Sequence, residues 1–191
     1  MDINSKKICL IGDFCVGKTS LIRRFVERQF SDQYLSTVGV KISRKTVETT
    51  SDNDLEKLSL KLLIWDIEGQ TKFKAITPSY LQGAKGAIIV ADVTRPETLD
   101  HIKEHLALFF SANPQGFSIV ALNKADLLSA EKLEKITLQH QYYDYKYPNQ
   151  KDQVERVLST YTTSAKTGTN VDEIFQLLAT KLILESQVNY S

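Results

Sequence analysis

The sequence predicts an α/β domain built on a largely parallel sheet. Three observations carry that prediction. Strand-like apolar runs alternate along the chain with stretches of helical spacing. Several of the runs, such as Gly86-Ala87-Ile88-Ile89-Val90-Ala91, are nearly continuous in apolar residues, as strands covered on both faces are. One pair of runs is joined by a polar segment, Thr49-Thr50-Ser51-Asp52-Asn53-Asp54, that suits a hairpin turn, so an otherwise parallel sheet gains one antiparallel partner.

The elements follow in order. Ile8-Cys9-Leu10-Ile11 reads as a short buried strand ending at Gly12. Thr19 to Val26 is helical, with Leu21, Ile22 and Phe25 on one face. Val40 to Val47 and Leu58 to Trp65 are the hairpin strands, and Gly86 to Ala91 is the next strand. Pro96 suits the first turn of a helix carrying Ile102, Leu106 and Phe109. Phe117 to Leu122 is another buried run, Tyr161-Thr162-Thr163 a short β-prone one, and Val171 to Leu184 a closing amphipathic helix. Gln139 to Gln153, with Tyr142, Tyr143, Tyr145 and Tyr147, reads either as an insertion or half-buried helix or as a partner surface.

Composition narrows the function. With 191 residues, 42% hydrophobic and 25% charged, the chain is expected to form one domain over residues 1–191 and is neither disordered nor a coiled coil. A net charge of +1 gives no electrostatic footprint for nucleic acid or an acidic membrane. Cys9 and Cys15 make neither a disulfide framework nor a four-ligand metal site. No apolar run approaches a membrane span, and the first residues carry no secretory signal, so a soluble, cytoplasmic protein is expected.

The sharpest motif is Gly12-Asp13-Phe14-Cys15-Val16-Gly17-Lys18-Thr19, which fills G-x-x-x-x-G-K-[ST] between a strand and a helix. Gly12 permits the sharp exit from the strand, and Gly17 lets the backbone wrap closely round a phosphate. Successive N–H groups from Phe14, Cys15 and Val16 onward, with Ser20 in the first turn, form an anion nest at the helix N-terminus. Lys18 adds a point charge for β- and γ-phosphates, and the Thr19 hydroxyl is the expected Mg²⁺ ligand. Asn123-Lys124-Ala125-Asp126 follows directly on a buried strand. A carboxylate there accepts from both N1–H and the exocyclic amine of guanine. Against adenine, which lacks that donor pair, it would be left desolvated and unpaired, which argues against an ATPase or kinase. Ser164-Ala165-Lys166 follows the last strand, where a backbone N–H can meet guanine O6.

Together these boxes resemble a Ras-superfamily small GTPase, in pattern the Rab branch, over nearly the whole chain. The resemblance implies a three-layer P-loop NTPase fold: a mostly parallel six-stranded sheet with one antiparallel edge strand. It implies a Mg²⁺-dependent switch that hydrolyses GTP to GDP and meets an effector, an exchange factor and a GTPase-activating protein through two switch regions. By the same resemblance, Thr37 ligands Mg²⁺ and holds the γ-phosphate, Tyr34 closes over the phosphates and Phe30 sits edge-on to guanine. Asp66 holds Mg²⁺ through water, Gly69 offers its N–H to the γ-phosphate and Gln70 orients the attacking water. Catalysis would then rest on Gln70, Lys18 and Thr37. Lys124 would lie along the base, Asn123 would tie the guanine box to the phosphate loop, and the Ala165 N–H, supported by Lys166, would complete base recognition. Trp65, Ile42 and Tyr80 stand where Rab proteins keep effector contacts, and ordinary packing explains them equally well.

Two positions depart from the pattern. Phe14 replaces a small residue and could fill the space an arginine finger uses. Glu68 replaces an alanine and could repel the γ-phosphate, bond Mg²⁺-bound water or point outward. Both bear on hydrolysis rate, so slow turnover, or a guanine-nucleotide module with little turnover, is expected. The tail, Glu185 to Ser191, has no cysteine or polybasic run, and Asp2 follows Met1, so no lipid anchor is expected; an unlipidated relative of prokaryotic type would suit it.

Overall fold

The computed structural model describes residues 5–31, 33, 36–50, 57–69, 77–140 and 156–188. Six strands form one sheet: β1 (Ser5–Ile11), β2 (Val40–Thr50), β3 (Lys57–Ile67), β4 (Gly86–Asp92), β5 (Phe117–Asn123) and β6 (Val157–Thr162). Their order is β2-β3-β1-β4-β5-β6. Only the β2–β3 pair is antiparallel, from Val40↔Ile67 to Thr50↔Lys57, which places the expected antiparallel strand at the sheet edge. Helices α1 (Lys18–Glu27), α2 (Pro96–Asp100), α3 (Ile102–Ala112), α4 (Ala130–Gln139) and α5 (Val171–Val188), with short 3-10 turns at Pro78–Tyr80 and Ala125–Leu127, complete the described elements.

The continuous apolar runs resolve into two cores by the two-residue period of a strand. Ile8, Leu10, Ile88, Val90, Ile119 and Ala121 face α1 and α5, where Leu21, Phe25, Ile174 and Phe175 meet them. Phe25 and Phe175 stack with centroids 4.0 Å apart. The alternate residues Cys9, Ile11, Ile89, Ala91, Val120 and Leu122 face α3 through Ile102, Leu106 and Phe109. Helices therefore cover both faces, and the result is three layers. Burial raises the Cys9 thiol to about 12, consistent with a packing role.

Three details differ from the expected elements. The helix after Pro96 is two helices, and the break falls at His101 (φ −76°, ψ −8°). The last strand begins at Val157, four residues before the β-prone Tyr161, because small polar residues such as Ser159 and Thr160 pair with β5 here without an apolar signal. Helix α4 lies where the sequence reading places no element: none of its residues is fully buried, and its apolar side is short, with Leu133 and Ile136 half-buried against the α3-side core. The hairpin turn residues 51–56 and all but the first two residues of the tyrosine-rich segment lie outside the described residues.

The strand order fixes where a ligand sits. From β1 the chain goes to β3's side of the sheet and later returns to β4 on the other, so the switch point lies at the carboxyl end of β1. Open α/β sheets bind ligands at that crevice.

Candidate functional site

Loops leaving the carboxyl ends of β1, β3, β5 and β6, with residues between α1 and β2, meet around one cleft of about 410 Å³. Its phosphate-loop wall is set by backbone conformation. Gly12 has φ +154°, and a Cβ there would stand 2.2 Å from the Val90 carbonyl oxygen. Gly17 caps α1 at φ +100°, and its Cβ would lie 2.3 Å from Asn123 Nδ2. Cys15 is also left-handed, at φ +64°, a turn that motif matching did not announce. Lys18 is buried, and its Nζ donates to the carbonyls of Gly12 (2.9 Å) and Asp13 (2.7 Å). Burial pushes its pKa down to about 8 against the pull of Asp66 and Asp13, so a further anion beside it would be welcome.

Three oxygen donors converge next to that lysine. Thr19 Oγ1 donates to Asp66 Oδ2 at 2.6 Å and lies 2.9 Å from Thr37 Oγ1, while Thr37 Oγ1 is 3.3 Å from the same Asp66 oxygen. Asp66 is 1% exposed, and its other oxygen, Oδ1, has no hydrogen-bond partner. Burial raises its pKa over the lowering by Thr19, Lys18 and Thr37, the mark of a carboxylate short of positive charge. Two hydroxyls and one carboxylate fit Mg²⁺, a hard cation that binds through one or two carboxylates plus substrate phosphates. Among the described residues no three His, Cys, Asp or Glu side chains form a metal cage of their own.

The base end is built on Asn123. Its Nδ2 donates to the Val16 carbonyl at 2.8 Å, and its Oδ1 accepts from Thr163 Oγ1 and the Ala165 N–H, each at 3.3 Å. One buried side chain thus bridges the phosphate loop and the loop after β6. Ser164 Oγ donates to Asp126 Oδ1 at 2.6 Å. Lys124, left-handed at φ +65°, pairs with Asp92 at 2.6 Å. Burial works to raise the Asp92 pKa, but the hydrogen bonds from Lys124 and Thr94 outweigh it and hold the carboxyl below its usual value.

Of the expected residues, Phe14, Cys15, Gly17, Lys18, Thr19, Ser20, Phe30, Thr37, Gly69, Asn123, Lys124, Asp126, Ala165 and Lys166 line the cleft. Gly12, Val16, Asp66 and Ser164 stand behind the wall as the partners just described. Tyr34 and Gln70 lie outside the described residues. Phe14 is 38% exposed at the mouth. Gly69 packs against the loop so closely that a Cβ would sit 2.5 Å from the Asp13 carbonyl oxygen. The Glu68 carboxylate accepts from the Gly39 N–H at 2.9 Å, and the Glu68 N–H donates to the Gly39 carbonyl at 2.8 Å. That contact joins the segment after Thr37 to the one before Gln70.

Several residues of the site carried no signal in the sequence. Arg24 donates from α1 to the Ala165 carbonyl at 2.8 Å and the Lys166 carbonyl at 2.5 Å, fixing the base loop. Arg95 donates to the Phe14 carbonyl at 2.7 Å. Arg23, Ser31, Gln33, Ile67 and Leu127 also line the cleft. Asp13 is gripped by His101 and His105 from the α2–α3 side. These partners lie far away in sequence, and no local motif announces them. Trp65 and Tyr80 are half-buried against the α3-side core, whereas Ile42 is exposed.

Comparison with known proteins gives the same picture. The Ras family model matches residues 7–184. Ras-related protein Rab-13 of the dog is 36% identical over 184 residues, covering 94% of this chain and 81% of that protein. GTP-binding protein ypt5 of Schizosaccharomyces pombe is 35% identical, covering 97% and 81%. Ras-related protein Rab-1C of Dictyostelium discoideum is 37% identical, covering 92% and 80%.

Proposed function

The chain belongs to the Ras family and is a Rab-like small GTPase, and from that premise we propose a Mg²⁺-dependent switch, a single domain over residues 1–191, that turns GTP over slowly. The observation that carries this reading is the Asn123 bridge. It joins the end of the cleft holding Lys18 and Thr19 to the end holding Asp126 and Ala165, so one rigid wall spans a phosphate chain and a purine.

In this reading Asp126 accepts from the guanine N1–H and amine, and the Ala165 N–H serves O6. Lys18 holds the β- and γ-phosphates, its own protonation favoured by their charge. Thr19, Thr37 and Asp66 would hold Mg²⁺, which neutralises charge on the β- and γ-oxygens when bound. The Gly69 N–H and Thr37 close on the γ-phosphate. Gln70 orients a water whose oxygen attacks the γ-phosphorus as the bond to the β–γ bridging oxygen breaks, giving GDP and inorganic phosphate. Loss of phosphate releases Thr37 and Gly69, and the surface around Val38 and Ile42, both exposed, changes for effectors, exchange factors and activating proteins.

Slow turnover is supported by Glu68. Its carboxylate, held by the Gly39 N–H, places a negative charge one residue from Gly69, and like charge beside an anionic centre disfavours the γ-phosphate-bound state. Among the described residues no helix is long and apolar enough to cross a membrane. Single-turnover hydrolysis of radiolabelled GTP with excess Mg²⁺, competed with unlabelled GTP or ATP, tests the proposal. GTP should compete and ATP should not, and phosphate should appear slowly. Equal competition by ATP refutes the base assignment, and no phosphate release at all leaves a binding module.

A further inference from the structure

Asp13 occupies a variable position of the phosphate-loop motif, yet both oxygens of its carboxylate are engaged. Oδ2 lies 2.8 Å from His101 Nδ1, and Oδ1 lies 2.9 Å from His105 Nε2. The same residue's carbonyl accepts the Lys18 ammonium at 2.7 Å, and Gly69 packs against it. A change at the carboxylate is therefore one residue's length from the lysine that meets phosphate.

The two rings differ. The His105 side chain is 2% exposed, and its Nδ1 is buried without a partner. A ring carrying its proton on Nε2 donates to Asp13 and buries only a bare nitrogen, whereas a second N–H would be buried unsatisfied. The His101 side chain is 37% exposed and can exchange its second proton with solvent. Resting on the nucleotide reading above, we infer that Asp13, His101 and His105 form a positioning device that couples guanine-nucleotide release to the protonation of His101.

The coupling is electrostatic. With His101 protonated, the Asp13–His101 pair is neutral. Once the proton leaves, the neutral ring can still donate from Nδ1, so the geometry persists, but an uncompensated carboxylate is left in the phosphate loop, close enough to act on the charge of Lys18. The hydrogen bond to Asp13 raises the His101 pKa, over the opposing effect of burial. Desolvation works to raise that of Asp13, but the hydrogen bonds from His105 and His101 hold it low. A raised histidine contributes its full effect below about pH 6.5 and loses it as pH climbs through the folded-state value. Nucleotide should therefore be held more tightly in mild acid. Other titratable groups lie around the pair among the described residues. Asp100 and Glu104 on the helices favour the protonated ring. Lys18, Cys15 and Arg95 lie on or against the loop, with Asp66 and Asp92 behind it.

The test is the dissociation constant of a fluorescent GDP analogue from pH 5.5 to 8.5, with Mg²⁺ in excess, for the wild type, His101→Gln and His101→Arg. The terminal phosphate titrates near pH 6 in all three and cancels in the comparison. The wild-type constant should rise about three- to tenfold more across the range than that of either variant, from like-charge repulsion moderated by solvent. His101→Gln should match the wild type at high pH and His101→Arg should match it at low pH. By linkage, the His101 ring-proton NMR titration should shift upward on GDP binding by the logarithm of that fold-change, about 0.5–1 pH unit. Equal pH profiles in all three proteins, or an unmoved His101 titration, overturn the inference while leaving nucleotide binding intact. Failure of all three to bind GDP at any pH overturns the nucleotide reading, and this inference with it.

Discussion

Replacing Asn123 with alanine removes the group that joins the two ends of the cleft. The bond from Nδ2 to the Val16 carbonyl is 2.8 Å long and buried, and losing the donor leaves that carbonyl short of a partner, at a cost of about 1–3 kcal/mol. The two bonds to Oδ1, from Thr163 and Ala165, are each 3.3 Å and contribute about 1 kcal/mol together. A total of about 2–4 kcal/mol in a chain of this size lowers the melting temperature by roughly 5–15 °C. If the bridge also aligns phosphate loop and base loop, GDP should dissociate at least about tenfold faster, equivalent to about 1.4 kcal/mol. Differential scanning fluorimetry of the nucleotide-free protein and stopped-flow release of labelled GDP measure the two effects separately. Asn123→Asp is the control of equal size: it keeps an acceptor for Ala165 but turns an oxygen toward the Val16 carbonyl, so it should be at least as damaging at neutral pH. A lowered melting temperature with unchanged GDP release would refute the bridging role and leave Asn123 a packing residue. An aspartate variant indistinguishable from wild type would refute the hydrogen-bond argument altogether.

Three further outcomes are expected. Asp126→Asn should weaken GTP binding by more than about 1 kcal/mol and gain xanthosine triphosphate, whose exocyclic oxygen accepts from the new amide; competition binding with both nucleotides reads this, and unchanged GTP affinity removes Asp126 from the site. Thr19→Asn takes one hydroxyl from the Thr19–Thr37–Asp66 cluster and should lower GTP affinity more than GDP affinity in titrations with Mg²⁺; equal losses would mean that Thr19 acts through the fold of the loop. Glu68→Ala frees the Gly39 N–H and should raise GTP affinity relative to GDP by about three- to tenfold, with faster single-turnover hydrolysis; abolished hydrolysis would make Glu68 a catalytic group.

The sequence by itself determined the α/β class, the antiparallel hairpin pair and the two ends of the site. Strand runs with apolar residues at every position declare burial on both faces. The G-x-x-x-x-G-K-[ST] loop and the Asn123–Asp126 box are each contiguous, so the residues within each motif are already adjacent in the chain. The helix over residues 130–139 is faint in the sequence for the opposite reason: it buries no residue fully and sets Leu133 and Ile136 half-buried against the core. What only the tertiary structure decided are contacts between residues that share no local pattern. Arg24 reaches Ala165 across 141 positions, and His101 and His105 reach Asp13 across 88 and 92. Glu68 is the sharpest case. Its charge was legible, but its direction depended on Gly39, a backbone donor just before β2 whose position is set by the β2–β3 register. A side chain's type is written in the sequence, whereas the partner that satisfies it is chosen by the packing of elements far apart along the chain.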